Sequence, residues 1–305
     1  ITGLDVDSVY SIPLVFEKEG ILNIVNKKLQ LEARPNVGKW ETLIRNLRYP
    51  ETEITIAMCG KYTKLEDSYA SVVEALQHAG ANVNARVNVK WVETTDIEEG
   101  KKNVAEALEG VHAVIVPGGF GGRGAEGKIQ VIKHCREQKL PFLGLCYGLQ
   151  LAVIEFARNV CGLTDANSTE VSKETAHPVV DLLPEQRNIT DKGATMRLGG
   201  HDVEIKENTK AHEMFGSTAR LRFRHRFEIA PEYIERLEGK GLVFSGKAPN
   251  QDIMQVLEIQ DHPFMMTTQA HPELTSKLDK PSPFFYELVK AALGTVSQVE
   301  GPIQH

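Results

Sequence analysis

Cys146 stands between Gly144 and Gly148 in the order G-x-C-x-G, and the apolar run Pro141–Leu145 leads into it. A cysteine so placed can be a nucleophile on a tight strand-to-helix turn, where only glycine fits on either side. At a helix amino terminus it also feels the positive end of the helix dipole, which favours a thiolate. A packed core cysteine beside two turn glycines has the same local sequence. His271-Pro272-Glu273 offers the other half of such chemistry: a base for the thiol and a carboxylate to orient that base. Alone, H-x-E has little specificity. A third feature is the glycine-rich run from Pro117 to Gly124. It lacks the G-K-[ST] ending of a phosphate-binding P-loop and the G-x-G-x-x-G order of a dinucleotide site. Its glycines let backbone N–H groups approach a reacting carbonyl oxygen, as an oxyanion hole requires; a flexible turn accounts for the same residues. The three features in this order carry more weight than any one of them.

Alternating strands and helices are what position these residues. Ile54–Cys59 reads as a strand, followed by a helix with Tyr69, Val72, Val73 and Leu76 on one face and Gly80 at its end. Val87–Val92 and Val111–Val116 read as further strands, with a short helix at Val104–Leu108 between them. Ile129, Ile132 and Cys135 stripe another helix before Pro141–Leu145. Leu149, Val153, Phe156 and Val160 then mark the helix after Cys146, which Gly162 ends. Such alternation implies a doubly wound α/β fold with parallel strands and right-handed crossovers. Ligands bind such sheets at the carboxyl ends of the strands, where Gly118–Gly119 and Cys146 both fall. The second half turns to strands, at Asp202–Ile205, Leu221–Ile229, Leu242–Gly246, Met254–Ile259 and Phe264–Gln269, and closes on a helix over Pro283–Leu293. Residues 1–50 carry two short amphipathic helices without a core of their own, and residues 294–305 read as a loose tail.

Composition narrows the classes. The 305 residues are 41% hydrophobic and 25% charged, as in an ordinary globular protein. A net charge of −6 argues against nucleic acid as the main partner. No apolar run reaches membrane-spanning length and no signal peptide is present, so a soluble, non-secreted chain is expected. Four cysteines without a C-x-x-C pair fit a reducing, cytoplasmic setting. The histidines show no metal-ligand spacing, so no metal is expected.

PGGFG, GLCYG and HPE together resemble the class I glutamine amidotransferase family, whose Cys-His-Glu triad releases ammonia from glutamine. GKYTKLEDSYASVVEALQHAG (60–80), GGFGGRGAEGK (118–128), DANSTE (165–170), TMRLG (195–199) and RHRFE (224–228) narrow the resemblance to the glutaminase domain of the CTP synthase family. DVDSVYSIPLVFEKEG (5–20) is similar to the stretch that closes that family's amidoligase domain. The resemblance covers about residues 5–293. It implies a flavodoxin-like, mostly parallel sheet with flanking helices and added strands, spanning 51–293, after an amidoligase end and helical linker at 1–50. It also implies Cys146 as nucleophile, His271 as base and then acid, and Glu273 as orienter. Gly119 and Tyr147 would supply the oxyanion-hole amides, with Tyr147, Gly148, Leu149 and Gln150 lining the pocket. Glu170 and Arg226 would meet glutamine's α-ammonium and α-carboxylate; a surface ion pair is the alternative for those two. GTP, an activator in the family, would act through Arg123, Glu126, Thr195 and Arg197.

Four residues depart from the family pattern: Tyr147 where leucine is usual, Ala270 where an aromatic is common, and Phe223 and Phe227 in place of His and Tyr. None is in the triad; they bear on substrate affinity and GTP coupling. No segment resembles a site for ATP, UTP and Mg²⁺, which belong to the amidoligase domain, and a chain opening at Ile1 reads as a fragment. A tetramer is expected only of the full-length enzyme. Two competing readings remain: a stand-alone γ-glutamyl hydrolase, and a non-catalytic GTP-responsive assembly module.

Overall fold

The computed structural model describes residues 5–61, 63, 65–182 and 196–299. The amino-terminal part forms three helices, α1 (Ile12–Lys18), α2 (Ile21–Leu29) and α3 (Gly38–Arg48). It is more closely docked than its sequence suggests. Leu43 and Ile44 on α3 are buried in a small cluster with Ala81 and Leu278, and Tyr10, Leu14, Trp40 and Leu47 pack against that cluster.

From Thr52 the chain alternates as expected: β1 (Thr52–Gly60), α4 (Ala70–Asn82), β2 (Ala85–Glu93), the short helices α5 (Thr94–Glu98) and α6 (Val104–Ala107), β3 (Ala113–Val116), α7 (Ala125–Gln138), β4 (Phe142–Leu145) and α8 (Tyr147–Asn159). Every residue of β3 (AVIV) and β4 (FLGL) is buried, the mark of a parallel strand covered on both faces. Alternation along β3 sorts its side chains. Val114 and Val116 join the core formed with α7 and α8, whereas Ala113 and Ile115 join the core on the opposite face.

The second half adds β5 (Ala166–Ser168), β6 (His177–Leu182), β7 (Arg197–Ile205), α9 (Lys210–Phe215), β8 (Thr218–His225), β9 (Phe227–Ile229), α10 (Ile234–Glu238), β10 (Val243–Lys247), β11 (Met254–Glu258), β12 (Met265–Thr268) and α11 (Pro283–Val299). Nine strands form one sheet in the order β2-β1-β3-β4-β12-β11-β10-β7-β8; β5, β6 and β9 form a second. Strands β1, β2, β3, β4 and β12 pair in parallel, while β11, β10, β7 and β8 continue the sheet antiparallel.

Three expectations change. The stretch Leu221–Ile229 is two strands in different sheets, because β8 pairs with β7 and β9 with β6. Strands β5 and β6 had no clear signature in the sequence. Helix α11 passes Gly294 and runs to Val299, since Val296 still packs on the core.

Candidate active site

Strands β3, β4 and β12 are neighbours running the same way, so their carboxyl ends bring three distant segments to one edge. Gly118 follows β3, Cys146 follows β4 and His271 lies just beyond β12.

Cys146 has φ 51° and ψ −97°, a left-handed conformation that costs a non-glycine residue about 1–3 kcal/mol. Its surroundings hold it there. Its N–H donates to the Thr268 carbonyl at 2.7 Å, and its own carbonyl accepts from the Leu149 N–H at 3.1 Å. The flanking glycines serve close packing rather than turn geometry. A Cβ on Gly148 would lie 2.3 Å from the Val116 carbonyl oxygen, and one on Gly144 would lie 2.9 Å from the backbone of Gly148. Gly118 is similarly wedged: a Cβ there would sit 3.0 Å from His271 Cε1 and 3.7 Å from Cys146 Cβ.

His271 is fixed through its N–H, which donates to the Arg222 carbonyl at 2.7 Å. Its Nδ1 meets Glu273 Oε1 at 2.7 Å, and the imidazole also hydrogen-bonds Cys146. Burial by itself lowers the imidazole pKa, but the hydrogen bonds to Cys146 and Glu273, and their charge, raise it to about 10. A sulfur, an imidazole and a carboxylate linked in series can generate a nucleophile and return its proton to a leaving group.

Beside the sulfur opens a cavity of about 650 Å³, bordered by Gly119, Cys146, Gln150, Glu170, Arg226 and His271. Glu170 follows β5 and accepts from the Gly121 N–H at 3.3 Å. Burial raises its pKa, against the Gly121 hydrogen bond and the charge of Lys61. Arg226 occupies the break between β8 and β9, and its buried Nε has no hydrogen-bond partner among the described residues. His225 donates from Nδ1 to the Phe227 carbonyl at 3.1 Å, so its other nitrogen is an acceptor; Nε2 is buried and unpartnered among the described residues. Burial lowers the His225 pKa to about 4, so the ring is neutral near pH 7.

Of the residues expected to line a pocket, Gly119, Gln150, Glu170 and Arg226 border the cavity; Tyr147, Gly148 and Leu149 do not. The first turn of α8 carries Leu149 into the core and presses Gly148 against β3. Tyr147 is buried, and its hydroxyl donates to the Gly121 carbonyl at 2.8 Å. Instead of reshaping the pocket wall, it fastens the glycine-rich loop. As the first residue of α8, Tyr147 still has an amide with no acceptor inside the helix.

Among the departures, Phe223 and Ala270 are core residues joined by an antiparallel bridge, whereas Phe227 borders the cavity. Of the residues that the resemblance would link to GTP, Arg123 donates to the Lys61 carbonyl and Glu126 forms a two-bond ion pair with Arg158. Arg197 donates to Gln251, and its guanidinium lies 5.9 Å from the Phe223 ring. These three do not border the cavity. Thr195 lies outside the described residues.

Sequence reasoning passed over several neighbours. Ser68, Met196 and Arg224 border the cavity, and the Arg224 carbonyl lies 3.8 Å from Cys146 Sγ. Gln269, two positions before His271, donates from Nε2 to Cys146 Sγ at 3.4 Å. Lys128 is buried behind the glycine-rich loop, with Nζ 5.2 Å from the Tyr147 ring centroid. Only proximity to GGRGAEGK and to HPE could have signalled the last two.

Residues 64–291 match the model of the family described as glutamine amidotransferase class-I. The chain belongs to that family. It is 47% identical over 294 residues to a CTP synthase of Archaeoglobus fulgidus, covering 96% of this chain and 54% of that protein. It is also 48% identical to the CTP synthase of Pyrococcus abyssi, over 96% of this chain and 54% of that one. The chain thus spans about half the length of the curated relatives it matches. Among solved structures, it superposes on the glutaminase domain of the Trypanosoma brucei CTP synthase, which was solved with bound acivicin. The TM-score is 0.73 at 32% identity, covering 79% of this chain and 94% of that one. Within the family it is therefore a glutaminase domain of the CTP synthase type. Among the described residues no cluster of His, Cys, Asp or Glu is arranged to hold a metal, and no helix is long and apolar enough to cross a membrane.

Proposed function

We propose that this chain hydrolyses L-glutamine to glutamate and ammonia. The observation that carries the reading is the cavity bordered both by Cys146 and His271, the latter held by Glu273 from outside it, and by two opposite charges, Glu170 and Arg226. A thiolate at Cys146 adds to the side-chain amide carbon of glutamine. The negative charge that develops on the amide oxygen is met by the amides of Gly119 and Tyr147. His271, held by Glu273, passes its proton to the departing nitrogen, the C–N bond breaks, and ammonia leaves a γ-glutamyl thioester. Water then gives a proton to His271 and attacks the thioester, releasing glutamate and the sulfur. Arg226 presents to the α-carboxylate an Nε that has no partner among the described residues. Glu170 and the acceptor nitrogen of His225 suit the α-ammonium, whose charge offsets the burial of the Glu170 carboxylate.

The ammonia serves, in this reading, an amidoligase domain that aminates UTP to CTP with ATP and Mg²⁺. GTP acts as an effector near Arg123, Glu126, Thr195 and Arg197. Ammonia release from glutamine is the direct test. Cys146→Ala should abolish it while thermal unfolding stays cooperative, and retained release would overturn the assignment. A strong preference for γ-glutamyl peptides over glutamine would point instead to a γ-glutamyl hydrolase.

A further inference from the structure

Next to Cys146 lie two buried side-chain amides that take no part in the steps above; one of them, Gln150, also borders the cavity. Gln150 is 4% exposed and Gln269 is fully buried. Gln150 Nε2 donates to the Phe227 carbonyl at 3.1 Å and to Gln269 Oε1 at 3.3 Å. Gln269 Nε2 donates to Cys146 Sγ at 3.4 Å. An amide end can be oxygen or nitrogen, but a backbone carbonyl can only accept. The Phe227 carbonyl therefore turns the Gln150 NH₂ toward itself and toward Gln269. That leaves Gln269 its oxygen for Gln150 and its NH₂ for the sulfur. The polarity of the whole relay is set by one backbone carbonyl.

We propose that Gln269 is a further catalytic residue, a hydrogen-bond donor to the nucleophile's sulfur, and that Gln150 is the positioning residue that keeps it facing that way. This rests on Cys146 acting as the nucleophile. The sulfur has a different partner in each protonation state. As a thiol, its S–H faces the Arg224 carbonyl at 3.8 Å. As a thiolate, it accepts from both His271 and Gln269. The second donor is neutral, so it keeps its place when His271 gives up its proton to the leaving ammonia. At that stage, and again when the thioester breaks down and the sulfur departs with negative charge, Gln269 still has an N–H aimed at the sulfur. A hydrogen bond to a charged group is stronger than one to its neutral form, so the donor favours the thiolate.

The test is Gln269→Met, which fills nearly the same volume without a donor. Iodoacetamide alkylation is followed at the Cys146 peptide by mass spectrometry at pH 7, alongside ammonia release from glutamine. Alkylation should slow by about tenfold or more. The kcat for ammonia release should fall by a similar factor, with KM changed less than about threefold. Alkylation within twofold of the parent in a cooperatively folded Gln269→Met protein would overturn the proposal. If that variant does not fold, Gln150→Met decides: it leaves Gln269 in place but unoriented, and alkylation should slow severalfold. An unchanged rate there would equally overturn it. Because alkylation needs no glutamine, its outcome is separable from a failure of the parent chain to hydrolyse glutamine, which would count against the proposed function alone.

Discussion

One wall of the cavity is Cys146 and His271, set at the ends of adjacent parallel strands; the facing wall is Glu170 and Arg226, set among the short strands of the second sheet. On the first wall, the backbone amides of Cys146 and His271 are both donated at 2.7 Å, and Gly118, Gly144 and Gly148 pack too tightly to admit a side chain without displacement. On the second, Arg226 Nε and His225 Nε2 are buried without partners among the described residues, and the Glu170 carboxylate is desolvated. Saturated backbone bonding fixes a geometry, whereas unsatisfied polar atoms store affinity for something that can satisfy them. The first wall is built to place a sulfur and an imidazole, and the second to receive a charged, polar ligand.

If that contrast holds, damage to the two walls should show in different measurements. The largest effect belongs to the packed wall. Gly148→Ala puts a methyl group 2.3 Å from the Val116 carbonyl oxygen, with backbone on both sides of the clash, so β3 and α8 must separate. A loss of about 3 kcal/mol or more in unfolding free energy is expected, with ammonia release falling in step. Denaturant unfolding of the purified variant checks this. Parent-like stability would mean that the elbow is far more compliant than its contacts imply.

The receiving wall should respond the other way. Arg226→Met removes a guanidinium whose Nε is buried without a partner among the described residues. Stability should stay within about 1 kcal/mol of the parent, since few bonds are lost and a desolvated charge is relieved. The kcat/KM for glutamine should fall about 100-fold, mainly through KM, as expected when one member of a buried charge pair with the ligand is removed. Steady-state ammonia release over a range of glutamine concentrations separates the two parameters. A fall in kcat with unchanged KM would place Arg226 with the chemistry and blur the distinction between the walls.

The same contrast explains what could be read in the sequence. Tight packing leaves local marks: glycines at fixed offsets around Cys146, apolar runs for β3 and β4, and an H-P-E just past a strand. The receiving wall leaves few. Leu221, Phe223, His225, Phe227 and Ile229 alternate without interruption, so nothing local reveals that the chain changes sheets at Arg226. That switch comes from pairing with β7 on one side and β6 on the other, partners far away in sequence. Strand β5 is three residues, Ala-Asn-Ser, too short and polar to register as a strand. The resemblance to known glutaminases named Glu170 and Arg226; periodicity could not have found them. Gln269 and Lys128 escaped for another reason. Each is a buried polar residue whose surroundings are set by tertiary packing, with no local pattern to mark it.

Lys128 provides the smallest and most discriminating comparison, because it lies on the packed wall yet has the character of the other. A Cβ on Gly119 would sit 3.6 Å from its Nζ, and the side chain is 1% exposed. Burial lowers its pKa from the ordinary 10.5 to about 8; Lys61 pushes the same way, opposed by Cys59, Glu93 and Glu98. The sign follows. Below about pH 8 the ammonium is charged in both folded and unfolded chains, and the folded state carries the full cost of burying it. Between about 8 and 10.5 the folded state sheds the proton first, so that cost shrinks, and above 10.5 it is gone. Lys128→Met should therefore stabilise the protein at pH 7 by about 1–2 kcal/mol, with the lost contact to the Tyr147 ring offsetting part of the gain. The difference should close as the pH is raised from 8 to 10.5. Paired thermal melts of parent and variant across that range check it, since the titration of groups not coupled to Lys128 cancels in the difference. A variant that is destabilised at pH 7, with a gap independent of pH, would show that the ammonium is bonded as tightly as the glycines around it are packed. If the gap closes with pH, Lys128 is a buried charge kept at a cost to stability directly beneath the loop that carries Gly119.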